Sequence, residues 1–274
     1  MPELPEVETV VRGLRRTVLN QIIDSLYINS PRIARAYFEG DIDKLRGKKF
    51  IAIRRRGKNI LMDLSDGHTL WVHLKMTGHF YYLPKKAPID KHDHLIFYFR
   101  DSHYSLHFND YRRFGRVRLL KTGELSSRQG LNDLGPEPLE IKPDAFIALF
   151  RSAKRMIKPA LLDQTFLAGL GNIYADEALY LARIHPKRST DSLPKKKLEE
   201  LYRAIQQVLR KAINKMGTSV DTFAGVDGKP GGFQHYLKAY GREGEPCFRC
   251  GAAIRRQKIG SRSAHYCPRC QRLR

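Results

Sequence analysis

Cysteine spacing constrains this chain more than any other feature. Cys247-x2-Cys250 and Cys267-x2-Cys270 lie sixteen residues apart and use all four cysteines of a 274-residue sequence. Each pair sets two thiolates on one side of a tight turn, and two such turns on a hairpin close a tetrahedron around zinc. Free thiols or two disulfides are the alternatives. No apolar stretch follows a basic one at the N-terminus, so no export signal is expected, and disulfides fit a long reduced chain poorly. Four thiolates leave no open coordination position, so the expected zinc is structural. Arg249, Arg255, Arg256, Lys258, Arg262, Arg269, Arg272 and Arg274 surround the pairs. A metal-stapled hairpin of this kind presents cations to phosphates or to a groove.

The rest of the chain shares the basic character. Lys and Arg total 50 against 28 Asp and Glu, a net charge of +22. The counts are 24 against 14 over residues 1–130, 17 against 12 over 131–239 and 9 against 2 over 240–274. Excess in every part suggests a surface that embraces a polyanion from several sides, nucleic acid before a membrane surface. A solvated basic face that serves solubility is the plainer alternative. A hydrophobic fraction of 42% makes the chain globular rather than a disordered tail. No run approaches the roughly 18 apolar residues of a membrane span.

Periodicity divides the chain. Val7, Val10, Val11, Leu14 and Val18 predict a helix over 6–19, with Pro5 near its start. Residues 50–56, 59–65, 68–76, 79–84, 94–100, 103–109 and 115–120 are short and rich in Ile, Val, Phe and Tyr. Turn residues separate them, which predicts an antiparallel β-sandwich or barrel. Leu134-Gly135-Pro136-Glu137-Pro138 marks a boundary. Helices are predicted over 143–152, 155–164, 173–183 and 194–216, and Gly-rich 224–233 reads as a mobile loop. The expected class is α+β, with domains 1–130, a linker 131–150, 151–237 and 238–274.

The amino terminus is chemically unusual. Removal of Met1 before Pro2 would expose a secondary amine, which can attack a sugar C1′ and form a cationic iminium. Glu3 and Glu6 lie where carboxylates could move protons to a ring oxygen or a leaving base. From these residues alone, an accidental proline and helix-capping glutamates remain the simpler account.

A wider pattern changes that balance. Pro2-Glu3-Leu4-Pro5-Glu6, Arg55-Arg56-Gly57-Lys58, His73-Leu74-Lys75-Met76 and Lys91-His92-Asp93-His94 occur in order. Arg112-Arg113-Phe114-Gly115, Gly169-Leu170-Gly171-Asn172 and the four cysteines follow. The whole closely resembles the formamidopyrimidine-DNA glycosylases of bacteria. The resemblance implies a helix on a β-sandwich, a helix–two-turn–helix domain, a zinc-finger hairpin, and DNA in a basic cleft between domains. It implies bifunctional base-excision repair: removal of oxidised purines from duplex DNA, then nicking by β,δ-elimination at the abasic site. A cytoplasmic, nucleoid-associated monomer with one structural zinc and no other cofactor would follow.

By the same resemblance Pro2 is the nucleophile, Glu3 the proton donor and Glu6 its support. Lys58 serves β-elimination and holds a phosphate, and Arg262 serves δ-elimination or clamps phosphates. Met76, Arg112 and Phe114 fill the gap left by an extruded base, where core packing is the plain alternative for the Met and Phe. His92, Lys154, Lys158 and Asn172 are implied DNA contacts, with Lys154, Arg155 and Lys158 placed on the helix before the turn. Residues 218–235 correspond to a loop that closes over the lesion. Lys75, Thr77, Asn59, Ala153 and Gly231-Gly232 depart from the family pattern and leave the order of lesion preference open. Two rivals stand beside this reading. One is an endonuclease VIII-like glycosylase for oxidised pyrimidines, against which Leu4 and Arg112-Arg113-Phe114 argue. The other is a noncatalytic zinc-ribbon nucleic-acid-binding protein.

Overall fold

The structure is a computed structural model that describes residues 1–29, 38–39, 41–220 and 223–273. Arg274 and two positions of the expected lesion loop, 221–222, lie outside the described residues. The chain divides into two units, Met1–Asn132 with Lys215–Gly232 and Asp133–Asn214 with Phe233–Arg274.

The first unit opens with α1, Leu4–Thr17. It begins two residues before the sequence expectation because Glu3 takes the N-cap position and Glu6 reaches back to it: the Glu3 N–H donates to Glu6 Oε2 at 2.8 Å. Arg15 and Arg16 in the last turn complement the negative helix end. Leu4, Val7, Val10, Val11 and Leu14 form its buried stripe.

Among the described residues nine strands follow: β1 Ile23–Ile28, β2 Phe38–Glu39, β3 Phe50–Arg56, β4 Asn59–Leu64, β5 His68–His73, β6 Gly78–Pro84, β7 Asp93–Phe99, β8 Tyr104–Asp110 and β9 Arg116–Lys121. They make one sheet of order β1-β7-β8-β6 and another of order β2-β9-β5-β4-β3. Among the described residues these pairings are antiparallel except the two-residue match of β2 with β9. The two sheets and α1 share one core. Phe50 of the second sheet meets Phe97 and Phe99 of the first edge-on, with centroids 6.0 and 6.3 Å apart. Strand β1 was not anticipated, since Asp24 and Ser25 interrupt its apolar run and a register shift lies between Ile23 and Ser25.

The second unit contains α2 Pro143–Ser152, α3 Ile157–Leu162, α4 Asn172–Ala182, α5 Lys195–Asn214 and a hairpin of β10 Arg255–Ile259 with β11 Arg262–Tyr266. Helix α2 fills the second half of the stretch expected as a linker. Helix α3 is shorter than its expected span, so Lys154 and Arg155 stand in the connector before it rather than on a helix. Residues 215–232 join the sandwich unit instead of the helical one. The reason is local: Val226 is buried in the sandwich core, and its carbonyl accepts the Tyr82 N–H of β6 at 2.9 Å. Among the described residues no helix is long and apolar enough to cross a membrane.

Candidate active site

The amino-terminal segment is held from below. Pro2 and Glu3 are buried while Met1 projects outward. Glu6 bridges two backbones: Oε2 accepts from Glu3 N–H at 2.8 Å, and Oε1 accepts from Thr218 N–H at 2.7 Å. Gly217 permits this approach. Its φ is 81°, and a Cβ there would meet Glu6 Oε1 at 2.7 Å. Gly217 carries no signal of this in the sequence, because nothing near it shows that residue 6 lies against it.

The 218–235 segment was expected to be mobile. Among its described residues it is tied at several points. Ser219 Oγ donates to the Phe223 carbonyl at 2.6 Å and accepts from Gly231 N–H at 2.8 Å. Gly225 N–H donates to the Lys229 carbonyl at 2.8 Å, closing a tip around Asp227-Gly228.

Lys58 occupies the turn between β3 and β4 and is buried. Arg55 braces that turn to α1: Nη1 donates to the Gly57 carbonyl at 3.0 Å and Nε to Glu8 Oε2 at 3.3 Å. The helix that begins with the Pro2 segment is therefore fastened to the Lys58 turn. Asn59 accepts from Trp71 Nε1–H at 2.8 Å and donates to the Arg56 carbonyl at 3.0 Å. It closes the same turn from the far side. His73 is near. Burial holds its imidazole far below 6.5, at about 3, with the charges of Lys75 and Lys58 adding to the shift. Its Nδ1 accepts the Lys75 N–H at 2.9 Å, so the neutral ring carries its proton on Nε2.

Met76 and Phe114 stand at loop tips, 37% and 48% exposed, which excludes core packing for both. Arg112 lies beside Phe114, its guanidinium 4.9 Å from the ring centroid. One buried carboxylate organises the two loops. Asp110, the last residue of β8, accepts from Thr77 Oγ–H at 2.5 Å and from Gly115 N–H at 2.7 Å. The Thr77 oxygen accepts the Arg112 N–H at 3.3 Å. Thr77, noted only as a departure, thus joins the Met76 turn to the Arg112–Phe114 loop. Asp110 was missed because one Asp at a strand end carries no spacing signal. His92 borders this group: its carbonyl accepts the Asp110 N–H at 3.0 Å, and its ring lies 6.4 Å from that of Tyr111.

Ser105, His107 and Asp93 are linked in the manner of a hydrolase relay, with Ser105 Oγ to His107 Nε2 and His107 Nδ1 to Asp93 Oδ2 both 2.9 Å. All three are buried. No substrate reaches the hydroxyl, and the chain of bonds serves to join β7 to β8.

In the second unit Asn172 is the first residue of α4, with Gly171 at the N-cap and Asn172 Oδ1 buried without a hydrogen-bond partner. Backbone N–H groups at such a helix start suit a phosphate. Lys154 is exposed. Lys158 is not: its side chain is 0% exposed, and Nζ donates to Asp176 Oδ1 and to the Ser263 carbonyl, each at 2.5 Å. Asp176 Oδ2 in turn accepts from His265 N–H at 2.9 Å. The expected phosphate contact at Lys158 is corrected. An ammonium this deep is stable only when paired, and here it fastens α3 and α4 to β11. Arg262, the first residue of β11, remains exposed beside that anchor.

The four cysteines converge, with all four sulfurs within 4.8 Å of one another. Cys247 and Cys270 sulfurs are 4.0 Å apart, and Cys250 and Cys267 sulfurs 3.4 Å. Zn–S bonds of about 2.3 Å give a tetrahedron with edges of about 3.8 Å, so the set fits zinc. Arg249, one of the cations expected to face phosphates or a groove, instead donates to the carbonyls of Tyr180 and Leu181 at 2.7 and 3.1 Å, closing the C-terminal turn of α4.

Residues 1–117 match the formamidopyrimidine-DNA glycosylase N-terminal domain, 134–224 the H2TH domain of the same enzymes, and 244–273 the zinc finger found in FPG and IleRS. The chain belongs to the formamidopyrimidine-DNA glycosylase family. A relative of that name from Pelotomaculum thermopropionicum is 43% identical over the full length of both chains. A Lactococcus lactis Fpg solved with abasic-site DNA is 38% identical, with a TM-score of 0.90 over 99% of this chain and 100% of that one. The wild-type Lactococcus lactis protein solved with DNA containing an oxidised pyrimidine gives the same values. Membership makes this protein a DNA glycosylase of base-excision repair, with the family's abasic-site lyase activity and one structural zinc.

Proposed function

We propose that this enzyme excises oxidised purines, 8-oxoguanine and formamidopyrimidines, from duplex DNA and nicks the strand through a Schiff base on Pro2. The observation that carries the reading is the Glu6 bridge, which holds Glu3 and the Thr218 backbone on one carboxylate. The amino-terminal segment and the base of the lesion loop are thereby kept in register.

In the chemistry proposed, Pro2, freed of Met1, attacks C1′ while the bond from C1′ to the base breaks. Glu3 supplies a proton as the sugar ring opens at O4′, and the secondary amine yields a cationic iminium. That cation accepts the electron pair released when a C2′ proton leaves, and the 3′ phosphate departs. A second elimination releases the 5′ phosphate. Lys58 is assigned to proton transfer and phosphate binding in the first elimination and Arg262 to the second. Met76, Arg112 and Phe114 fill the vacated stack, and an exposed Met and Phe suit that role. His92, Lys154 and Asn172 are assigned to DNA backbone contacts. Residues 1–130 would be catalytic and, with 215–232, would carry most of the lesion loop, 133–214 would grip DNA, and 238–274 would form the finger. A cytoplasmic monomer working on the nucleoid is part of this reading.

The oxidised-pyrimidine complex of the Lactococcus lactis relative favours a lesion set wider than purines. The deciding experiment treats protein and an 8-oxoguanine duplex with borohydride and maps the adduct by mass spectrometry. A reduced cross-link on Pro2 with Met1 absent is expected. A cross-link on any other residue would remove Pro2 from the mechanism, and trapping only with oxidised pyrimidines would reverse the base preference.

A further inference from the structure

We propose that Tyr180 is an outer member of the zinc centre: its phenolic O–H donates to the Cys247 sulfur and keeps that ligand on the metal. Tyr180 comes from α4, outside the finger, yet its oxygen lies 3.3 Å from Cys247 Sγ. The residue is buried, 3% exposed, in a cluster with Ala239, Ile254 and Cys267.

Its aim is restrained from two sides. The Arg249 guanidinium lies 4.5 Å from the ring centroid and donates to the Tyr180 carbonyl at 2.7 Å. Arg249 is itself within the Cys247-x2-Cys250 knuckle. The ring therefore cannot swing away without disturbing the turn that carries Cys247. A metal-bound thiolate has no proton, so the hydroxyl must be the donor. Cys247 Sγ also accepts the Arg249 N–H at 3.4 Å. This sulfur thus accepts both a side-chain O–H and a main-chain N–H.

The chemistry of a four-thiolate site explains the use of that donor. Four thiolates on one divalent ion leave a net charge of −2 concentrated on sulfur. An excess-charged thiolate is the atom that alkylating agents and oxidants attack, and attack releases the metal. A hydrogen bond to the sulfur draws off charge, lowers its nucleophilicity and fixes its direction. Outer partners of this kind are typically worth about 10- to 100-fold in metal affinity. The same bond makes zinc retention depend on α4, so the finger and the helix–two-turn–helix region are joined at the metal as well as through Lys158.

Tyr180→Phe removes the hydroxyl and keeps the ring and its Arg249 stack. Full-length zinc-loaded protein is exposed to a chromogenic chelator, and zinc release is timed. In parallel, iodoacetamide labelling is mapped by mass spectrometry. The expected result is release about 10-fold or more faster, with Cys247 becoming the first cysteine labelled. Tyr180→Leu, which loses ring and hydroxyl together, separates packing from hydrogen bonding. If Tyr180→Phe releases zinc at the wild-type rate with the wild-type labelling order, and only Tyr180→Leu is impaired, the hydroxyl has no role and the proposal is overturned.

Discussion

Asp110 accepts the Thr77 hydroxyl at 2.5 Å from across a loop, while its other oxygen receives the Gly115 N–H at 2.7 Å. One carboxylate at a strand end therefore sets the spacing between the Met76 turn and the Phe114 loop. Gly115 has to be glycine, since a Cβ there would meet the Phe108 ring at 2.7 Å. Asp110→Asn turns one acceptor into a donor facing another donor, a loss worth about 1–3 kcal/mol. Single-turnover excision of 8-oxoguanine is expected to fall roughly 10- to 100-fold by the same reckoning. Thr77→Val, which removes one bond of the set, should show a smaller loss. A 2-aminopurine beside the lesion reports insertion of the wedge directly. Wild-type fluorescence changes in Asp110→Asn would show that the loops hold their spacing without the carboxylate.

Glu6 and Gly217 make a second prediction. Gly217→Ala places a methyl 2.7 Å from Glu6 Oε1 at a backbone φ of 81°. The left-handed backbone alone costs about 1–2 kcal/mol for a residue with a side chain. The displaced carboxylate would loosen both Glu3 and Thr218. Borohydride trapping on an abasic duplex is expected to slow, because the segment carrying Pro2 shifts. A variant that melts at a lower temperature yet traps at the wild-type rate would separate loop support from catalysis.

His73 gives a pH dependence with a defined sign. Its folded pKa of about 3 lies below the ordinary 6.5. Between those values the unfolded chain binds more protons than the folded one, so stability rises with pH. The contribution is fully present above pH 6.5 and is lost as pH falls toward 3. His73→Asn keeps an acceptor for the Lys75 N–H and removes the titrating ring. The melting temperature of the wild type should fall more steeply than that of this variant between pH 6.5 and 4. Parallel curves would place the acid sensitivity elsewhere.

Sequence reading reached the elements whose signal is local and missed those made by distant partners. Strand β3 is legible from its own residues, as is the zinc site from cysteine spacing. Val226 is not. Its burial depends on α1 passing over it, close enough that a Cβ on Gly13 would meet Val226 Cγ2 at 2.8 Å. The Gly-rich stretch 224–233 therefore reads as free loop while its central valine sits in the core. Lys158 fails in the opposite direction. A lysine in a basic chain reads as a phosphate contact, and only the fold brings Asp176 and the Ser263 carbonyl to it. Asp110 and Gly217 likewise act through partners 33 and 211 residues away in sequence, Thr77 and Glu6.

The Lys158–Asp176 pair supplies the last prediction. Removing one member of a buried ion pair strands the other charge and costs about 3–5 kcal/mol. Lys158→Met is therefore expected to lower the melting temperature, roughly 2–4 °C for each kcal/mol in a chain of this size. The double variant Lys158→Met, Asp176→Asn should recover much of the loss, because the amide oxygen still accepts the His265 N–H. DNA binding offers a separate readout. A lysine that neutralises a phosphate contributes close to one unit to the slope of log affinity against log salt. Lys158 is enclosed, so the slope should be unchanged in the double variant, while exposed Lys154→Met should reduce it. Arg262 follows Lys158 through one peptide unit, since the ammonium holds the carbonyl of Ser263 beside it. Lys158→Met should consequently impair strand nicking, and the double variant, lacking the ammonium, should remain impaired in nicking while regaining stability. Recovery of both together would mean that Lys158 supports the fold without placing the finger arginine.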